Sequence, residues 1–231
     1  MAKNYKLLYY GLGSDAIESI RKLKSVDLAI ARGSTAMNIL KMEHISNAQL
    51  FSRKPDHTLE QWKQELFSGL KDDATILYLS PIVPMISDQV GWCLCKDILP
   101  ENIEINRGED MSFGLTSLFS HHQLSPLVTV DSLVLENKHH PPFSPDNSVL
   151  IYTIDTNDQI HEIQKLLSGI FPQDHLILPL IQKPNGEIGW GEVSLSKLGE
   201  IVDPVTILFV PPATHDSSLE SFQEIIAHLR A

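Results

Sequence analysis

The stretch Tyr5-Lys6-Leu7-Leu8-Tyr9-Tyr10, running straight into Gly11-Leu12-Gly13-Ser14-Asp15, decides the fold. An almost wholly apolar and aromatic run of this length suits a strand covered on both faces, as in a parallel sheet. The glycines turn the chain, and Ser14 or Asp15 is placed to cap a helix. Such a unit brings glycine backbone and a helix start to the carboxyl edge of a sheet. That edge is where open α/β sheets bind charged small molecules.

Working outward, strand and helix patterns alternate. Helical spacing covers Ala16 to Lys24, with Ile17, Ile20 and Leu23 on one side. Val26 to Ala31 reads as the second strand, and Thr35 to Lys41 as a helix after the loop Arg32-Gly33-Ser34. Thr58 caps a helix running to Gly69, and Ala74 to Leu79 is a strand closed by Ser80-Pro81-Ile82-Val83-Pro84. Met85 to Lys96 is the next helix, and Ile103 to Ile105 a short strand. This βαβα order predicts a parallel sheet with helices on its faces. The boundaries fall at 1–107 for an N-terminal α/β domain and 108–231 for a second α/β domain. In the second domain, Asp110 to Phe119 and Asp158 to Leu167 read as helices. Val149 to Ile154, Leu176 to Ile181 and Val205 to Val210 read as strands, Glu187 to Val193 as an edge broken by Gly189 and Gly191, and Ser217 to Arg230 as a closing helix. A mixed sheet is expected there.

Composition narrows the function. Of 231 residues, 42% are hydrophobic and 20% charged, the balance of a globular protein with a substantial core. A net charge of -11 leaves no basic footprint, which argues against nucleic acid as a partner. No run approaches the ~20 apolar residues of a membrane span. The two cysteines, Cys93 and Cys95, have a spacing unsuited to a disulfide and fit a reducing cytoplasm.

The chemistry carried by single motifs is sparse. Gly11-Leu12-Gly13-Ser14-Asp15-Ala16 fits the loose dinucleotide pattern, and Arg32 lies at the distance where an arginine would read the 2′-phosphate of NADP. A simple chain reversal is the competing reading of the same glycines. The Ser80–Pro84 loop lies at the end of another strand, either as a ligand loop or as a stiff connection. His121-His122 and His139-His140 are poorly spaced for one metal ion, and no metal is expected. His57, His161, His175 and His215 are scattered and read as surface residues. Cys93 sits in an apolar helix and reads as a packed hydrophobe. Among the serines, none has the G-x-S-x-G elbow.

Taken together, four segments resemble the tetrapyrrole methylase family: YYGLGSD, LAIARGS, ILYLSPIVP, and GEDMSF followed by VDSLVL. Later segments, HHPPFSPDNSVLIYTID, FPQDHLILPL and VTILFVPP, follow in order the branch of that family fused to MazG-type nucleotide pyrophosphohydrolases. The resemblance spans nearly the whole chain. It implies two α/β domains with a cofactor cleft between them, S-adenosylmethionine as cofactor, a small-molecule methyl acceptor and a homodimer. It places Gly11, Gly13, Ser80, Pro81, Ile82 and Val83 around the cofactor, with Ser112, Phe113 and Tyr152 nearby. The catalytic residues are not assigned. Methyl transfer from a sulfonium needs in-line alignment and a dry site more than acid–base groups. The final helix resembles the lead-in to a MazG-type domain, so the chain is expected to be the N-terminal part of a longer protein. Ile82 stands where the family has glycine, and a β-branched residue there fills space near the cofactor. The alternative is therefore a non-catalytic regulatory or dimerisation module of a nucleoside triphosphate pyrophosphohydrolase. An NADP-binding oxidoreductase is the third reading.

Overall fold

The computed structural model describes residues 4–54, 56–81, 88–107, 127–154, 156–182, 188–203 and 205–213. The chain divides into two units, Met1–Met111 and Ser112–Ala231. The helices expected at Asp110–Phe119 and Ser217–Arg230 lie outside the described residues.

The first unit begins with β1 (Lys6–Gly11), α1 (Ser14–Arg21), β2 (Leu28–Ala31), α2 (Gly33–Met42) and β3 (Ala48–Leu50). It continues with α3 (Leu59–Ser68), β4 (Thr75–Ser80), α4 (Gln89–Cys95), a short 3-10 turn (Pro100–Asn102) and β5 (Ile103–Asn106). The strands form one sheet in the order β3-β2-β4-β1-β5, and every pairing is parallel. β1 and β4 are thus inner strands, which is why both are nearly uniform runs of apolar residues: each needs cover on two faces.

Strand alternation sorts that cover. Leu8, Tyr10, Ala29, Ala31, Leu77 and Leu79 share one face and pack with Ala16 and Ile20 of α1 and Ala36 and Leu40 of α2. Tyr9 and Tyr78 belong to the opposite face, where Gly91 of α4 lies against the Tyr9 ring. One expectation is corrected, and one strand is added. The N-cap of α1 is Gly13, with no side-chain cap, and Ser14 is already helical. The third strand, Ala48–Leu50, is short and half exposed, with no apolar run to reveal it.

The second unit contains β6 (Leu127–Asp131), α5 (Ser132–Leu135), β7 (Ser148–Tyr152), α6 (Asn157–Leu167), β8 (Leu176–Gln182), β9 (Ile188–Trp190), β10 (Val193–Ser194), a 3-10 segment (Leu195–Glu200) and β11 (Val205–Val210). Its sheet runs β10-β8-β11-β7-β6, with β9 beside β8. β6 and β7 are parallel, and the other pairs are antiparallel, so the sheet is mixed. Val149, Ile151, Leu208 and Val210 pack against Ile160, Ile163, Leu166 and Leu167 of α6 and against Leu195 and Leu198. His175, read from sequence as a surface residue, is instead half-buried: it stacks on Phe171 at 4.4 Å, with its Nε2 2.9 Å from the Pro211 carbonyl. Burial moves its pKa down.

Thr156 closes a capping box on α6. Its hydroxyl accepts from Gln159 N–H at 3.2 Å, and the Gln159 side chain accepts from Thr156 N–H at 3.3 Å. Thr156→Ala removes one of the two bonds, and a loss of about 1 kcal/mol is expected in urea unfolding.

Candidate functional site

The carboxyl ends of β1 and β4 lie side by side. Gly11 and Ser80 are register partners, and Leu12 N–H donates to the Ser80 carbonyl at 3.0 Å. The helix after β1 packs on the Leu8–Tyr10 face, and the helix after β4 packs on the Tyr9 face. Two adjacent parallel strands whose following helices diverge to opposite faces make a topological switch point, the place where open α/β sheets bind ligands. Gly11, Ser80 and Pro81 are buried at this edge, and Gly13 is half-buried at the start of α1. Ile82, Val83, Ser112 and Phe113 lie outside the described residues. Tyr152 belongs to the second unit, buried at the end of β7 as the register partner of Asp131 and Ile207.

Beneath the edge, on the Tyr9 face, lies a charged cluster that single motifs do not reveal. Arg32 and Asp88 are both completely buried, and Arg32 Nη1 lies 3.3 Å from Asp88 Oδ1. Tyr9 donates to Asp88 Oδ2 at 2.7 Å, and the Tyr78 hydroxyl lies 2.9 Å from both carboxylate oxygens. Gly91 N–H donates to Oδ1 at 3.0 Å, so the same carboxylate is the N-cap of α4. The Arg32 guanidinium also lies 5.1 Å from the centre of the Phe51 ring, whose edge meets Trp62. Burial, followed by the Asp88 charge, pushes the Tyr78 pKa well above 10, so its hydroxyl keeps its proton. Gly33, the first residue of α2, has φ 81°, in the left-handed region that favours glycine. That turn leads directly out of Arg32.

This geometry corrects the NADP reading. A completely buried guanidinium, paired with Asp88, is not available to a 2′-phosphate. Asp88, Tyr9 and Tyr78 were missed from sequence. The available signals were modest: an Asp just ahead of a helix, and two tyrosines that the register places directly opposite each other.

The end of β7 carries a second device. Thr153 is buried with φ 60°, an outlier for a β-branched residue. Its Oγ1 lies 2.9 Å from Asp131 Oδ1, and its carbonyl accepts from Ser132 Oγ at 2.6 Å. Asp131 also accepts from Leu133 N–H at 3.0 Å, capping α5. Backbone strain of about 1–3 kcal/mol persists only where neighbours enforce it.

The cysteines flank an open groove of about 430 Å³ between α3 and α4, lined by Leu59, Trp92 and Lys96 among others. Burial pushes the Cys93 thiol up, and burial and then Asp88 push Cys95 to about 11. Neither has the lowered pKa of a nucleophile. Among the described residues, no three His, Cys, Asp or Glu side chains cluster as a metal would require. No helix among them is long and apolar enough to cross a membrane.

Neither a protein-family model nor a curated protein matches the sequence. Solved structures do match in fold. A diphthine synthase shares 16% identity, with a TM-score of 0.54 and 96% of each chain covered. The uroporphyrin-III-C-methyltransferase of Thermus thermophilus shares 14% identity, with a TM-score of 0.50 and coverage of 96% of this chain and 99% of that one. A conserved hypothetical protein of Aeropyrum pernix K1 shares 11% identity, with a TM-score of 0.52 and coverage of 99% and 90%. The fold is tetrapyrrole-methylase-like.

Three outcomes follow from the buried cluster. Arg32→Ala leaves the Asp88 charge buried without its cation, and a loss of about 3–5 kcal/mol is expected in urea unfolding. Gly91→Ala would place a Cβ 2.2 Å from the Tyr9 hydroxyl, and overpacking should cost about 1–3 kcal/mol. The pH dependence has a definite sign. In the unfolded chain Tyr78 ionises near 10, whereas in the fold it stays neutral to higher pH. The Tyr78 contribution to stability is therefore full below pH 10 and falls as pH rises past it. Urea midpoints measured at pH 8 and pH 11 check this, and Tyr78→Phe should flatten the alkaline fall.

Proposed function

We propose that the chain is an S-adenosylmethionine-dependent methyltransferase of the tetrapyrrole methylase type, acting as a homodimer on a small-molecule acceptor. One observation carries the reading: Gly11 and Ser80 stand opposite each other at the switch point of the parallel sheet, in two of the four segments that resemble that family. One of the solved structures of similar fold is named a methyltransferase. The link to MazG-type proteins rests on the order of the later motifs and on the resemblance of the final helix.

The residues at the edge fit this cofactor better than a dinucleotide. Exposed Asp15 in the first turn of α1 opposes a pyrophosphate at that helix start. Arg32, the cation that directly follows β2, is engaged with Asp88. S-adenosylmethionine carries no phosphate, and its sulfonium and amino groups are cationic. When bound, it supplies an electrophilic methyl group. Gly11 would let backbone approach it, and backbone groups of Gly13, Ser80 and Pro81, with those of Ile82 and Val83, would orient it. The family resemblance also assigns Ser112, Phe113 and Tyr152 to cofactor binding. The chain's contribution is alignment and exclusion of water, for which buried edge residues suffice.

Calorimetry with S-adenosylmethionine and S-adenosylhomocysteine tests the reading. Saturable binding is expected. No binding at millimolar cofactor would overturn it in favour of a non-catalytic module. Ile82→Gly should tighten binding, because it removes bulk where the family has glycine; unchanged or weaker affinity would count against that role for Ile82.

A further inference from the structure

We infer that Asp88 is a positioning residue: with Arg32, Tyr9 and Tyr78 it holds the carboxyl edge of β1 and β4 in the geometry that binds cofactor. The inference rests on the function proposed above and assigns a role to side chains outside the set proposed to meet cofactor.

Stability alone is a poor reason for this cluster. A buried ion pair is often no better than well-packed apolar residues of the same volume. Here an arginine and two tyrosyl hydroxyls are gathered on one aspartate carboxylate inside a core that is mostly apolar and aromatic. What the cluster supplies is directionality. An ionised carboxylate only accepts, and its lone pairs take donors along defined directions. Four donors from separate parts of the first unit converge on this one: Tyr9 from β1, Tyr78 from β4, Arg32 from the β2–α2 junction, and Gly91 N–H from α4.

Its location is as informative as its content. Tyr9 lies two residues before Gly11 on the same strand, and Tyr78 two residues before Ser80. Residues two apart share a face and sit ~6.6 Å apart along a strand. The tyrosines therefore tie α4 to the two strands one step below the residues proposed to meet cofactor. The absence of a side chain at Gly91 lets the helix close onto Tyr9, leaving no room for even a Cβ. The strand ends and the helix start are thereby locked to one another. A cluster used only as packing could sit anywhere along these strands. This one sits at the last turn before the edge.

The test separates positioning from stability in the full chain. S-adenosylhomocysteine affinity by calorimetry and unfolding by urea are measured for the parent, Asp88→Asn, Tyr78→Phe and Leu40→Ala. Leu40 is a completely buried residue of α2 in the cluster on the opposite face of the sheet. Asp88→Asn and Tyr78→Phe should weaken binding roughly tenfold. Leu40→Ala should lose at least as much stability yet bind within about twofold of the parent. Parent-like affinity in a folded Asp88→Asn overturns the inference, as does equal weakening in Leu40→Ala. If Asp88→Asn does not fold, Tyr78→Phe decides in the same way. A parent that does not bind at all overturns the proposed function and this inference with it, whereas a binding parent with unaffected variants overturns this inference only.

Discussion

The first unit depends on one carboxylate. Asp88 is completely buried and accepts from two tyrosines, an arginine and a helix N–H. Charge in a low-dielectric core is tolerable only when each lone pair is engaged. That demand propagates outward. It requires tyrosines at register-matched positions of β1 and β4, glycine at position 91, and an arginine directly after β2. It also explains why Arg32 is followed by a glycine: φ 81° at Gly33 starts α2 immediately beyond the buried side chain. The sheet edge is where these requirements meet.

Much of the fold was legible in the sequence because it rests on local pattern. The Leu7–Tyr10 and Ala74–Leu79 runs read as buried strands, and Val205–Val210 was matched residue for residue. Thr58 and Thr156 sit ahead of amphipathic runs, and the structure shows a capping box at each. What failed was non-local. Arg32 and Asp88 are separated by 56 positions, and Tyr9 and Asp88 by 79. Nothing near Arg32 in sequence distinguishes an arginine that reads a phosphate from one that balances a buried carboxylate. The short strand Ala48–Leu50 failed for another reason: an exposed edge strand has no apolar signature. The glycine loop was legible as a turn, but the start of α1 was placed late because Gly13, not a hydroxyl or carboxylate side chain, precedes it.

The second unit uses the same device for a different end. Asp131 caps α5 through Leu133 N–H and takes the Thr153 hydroxyl, as Asp88 caps α4 through Gly91 N–H and takes two tyrosyl hydroxyls. In both places the acid stands at or beyond the end of a strand and opens a helix, where the helix dipole favours negative charge. Placing an acceptor there satisfies a helix N–H and collects hydroxyls from neighbouring strands in one step. At Asp88 the result is a locked strand pair. At Asp131 it is a strained Thr153, held at φ 60° against its intrinsic preference.

Both devices favour exact placement of backbone over chemical reactivity. The cysteine thiols are pushed up, and the most distinctive buried acid is consumed by structural donors. A reaction that relied on a poised side-chain base would be poorly served by this arrangement. Methyl transfer from a sulfonium is different, since the leaving group departs neutral and the barrier yields to alignment of acceptor, carbon and sulfur. For such a reaction the useful property of a site is that its edges do not move. A carboxylate tied to two strands, a loop arginine and a helix start is a means of achieving that.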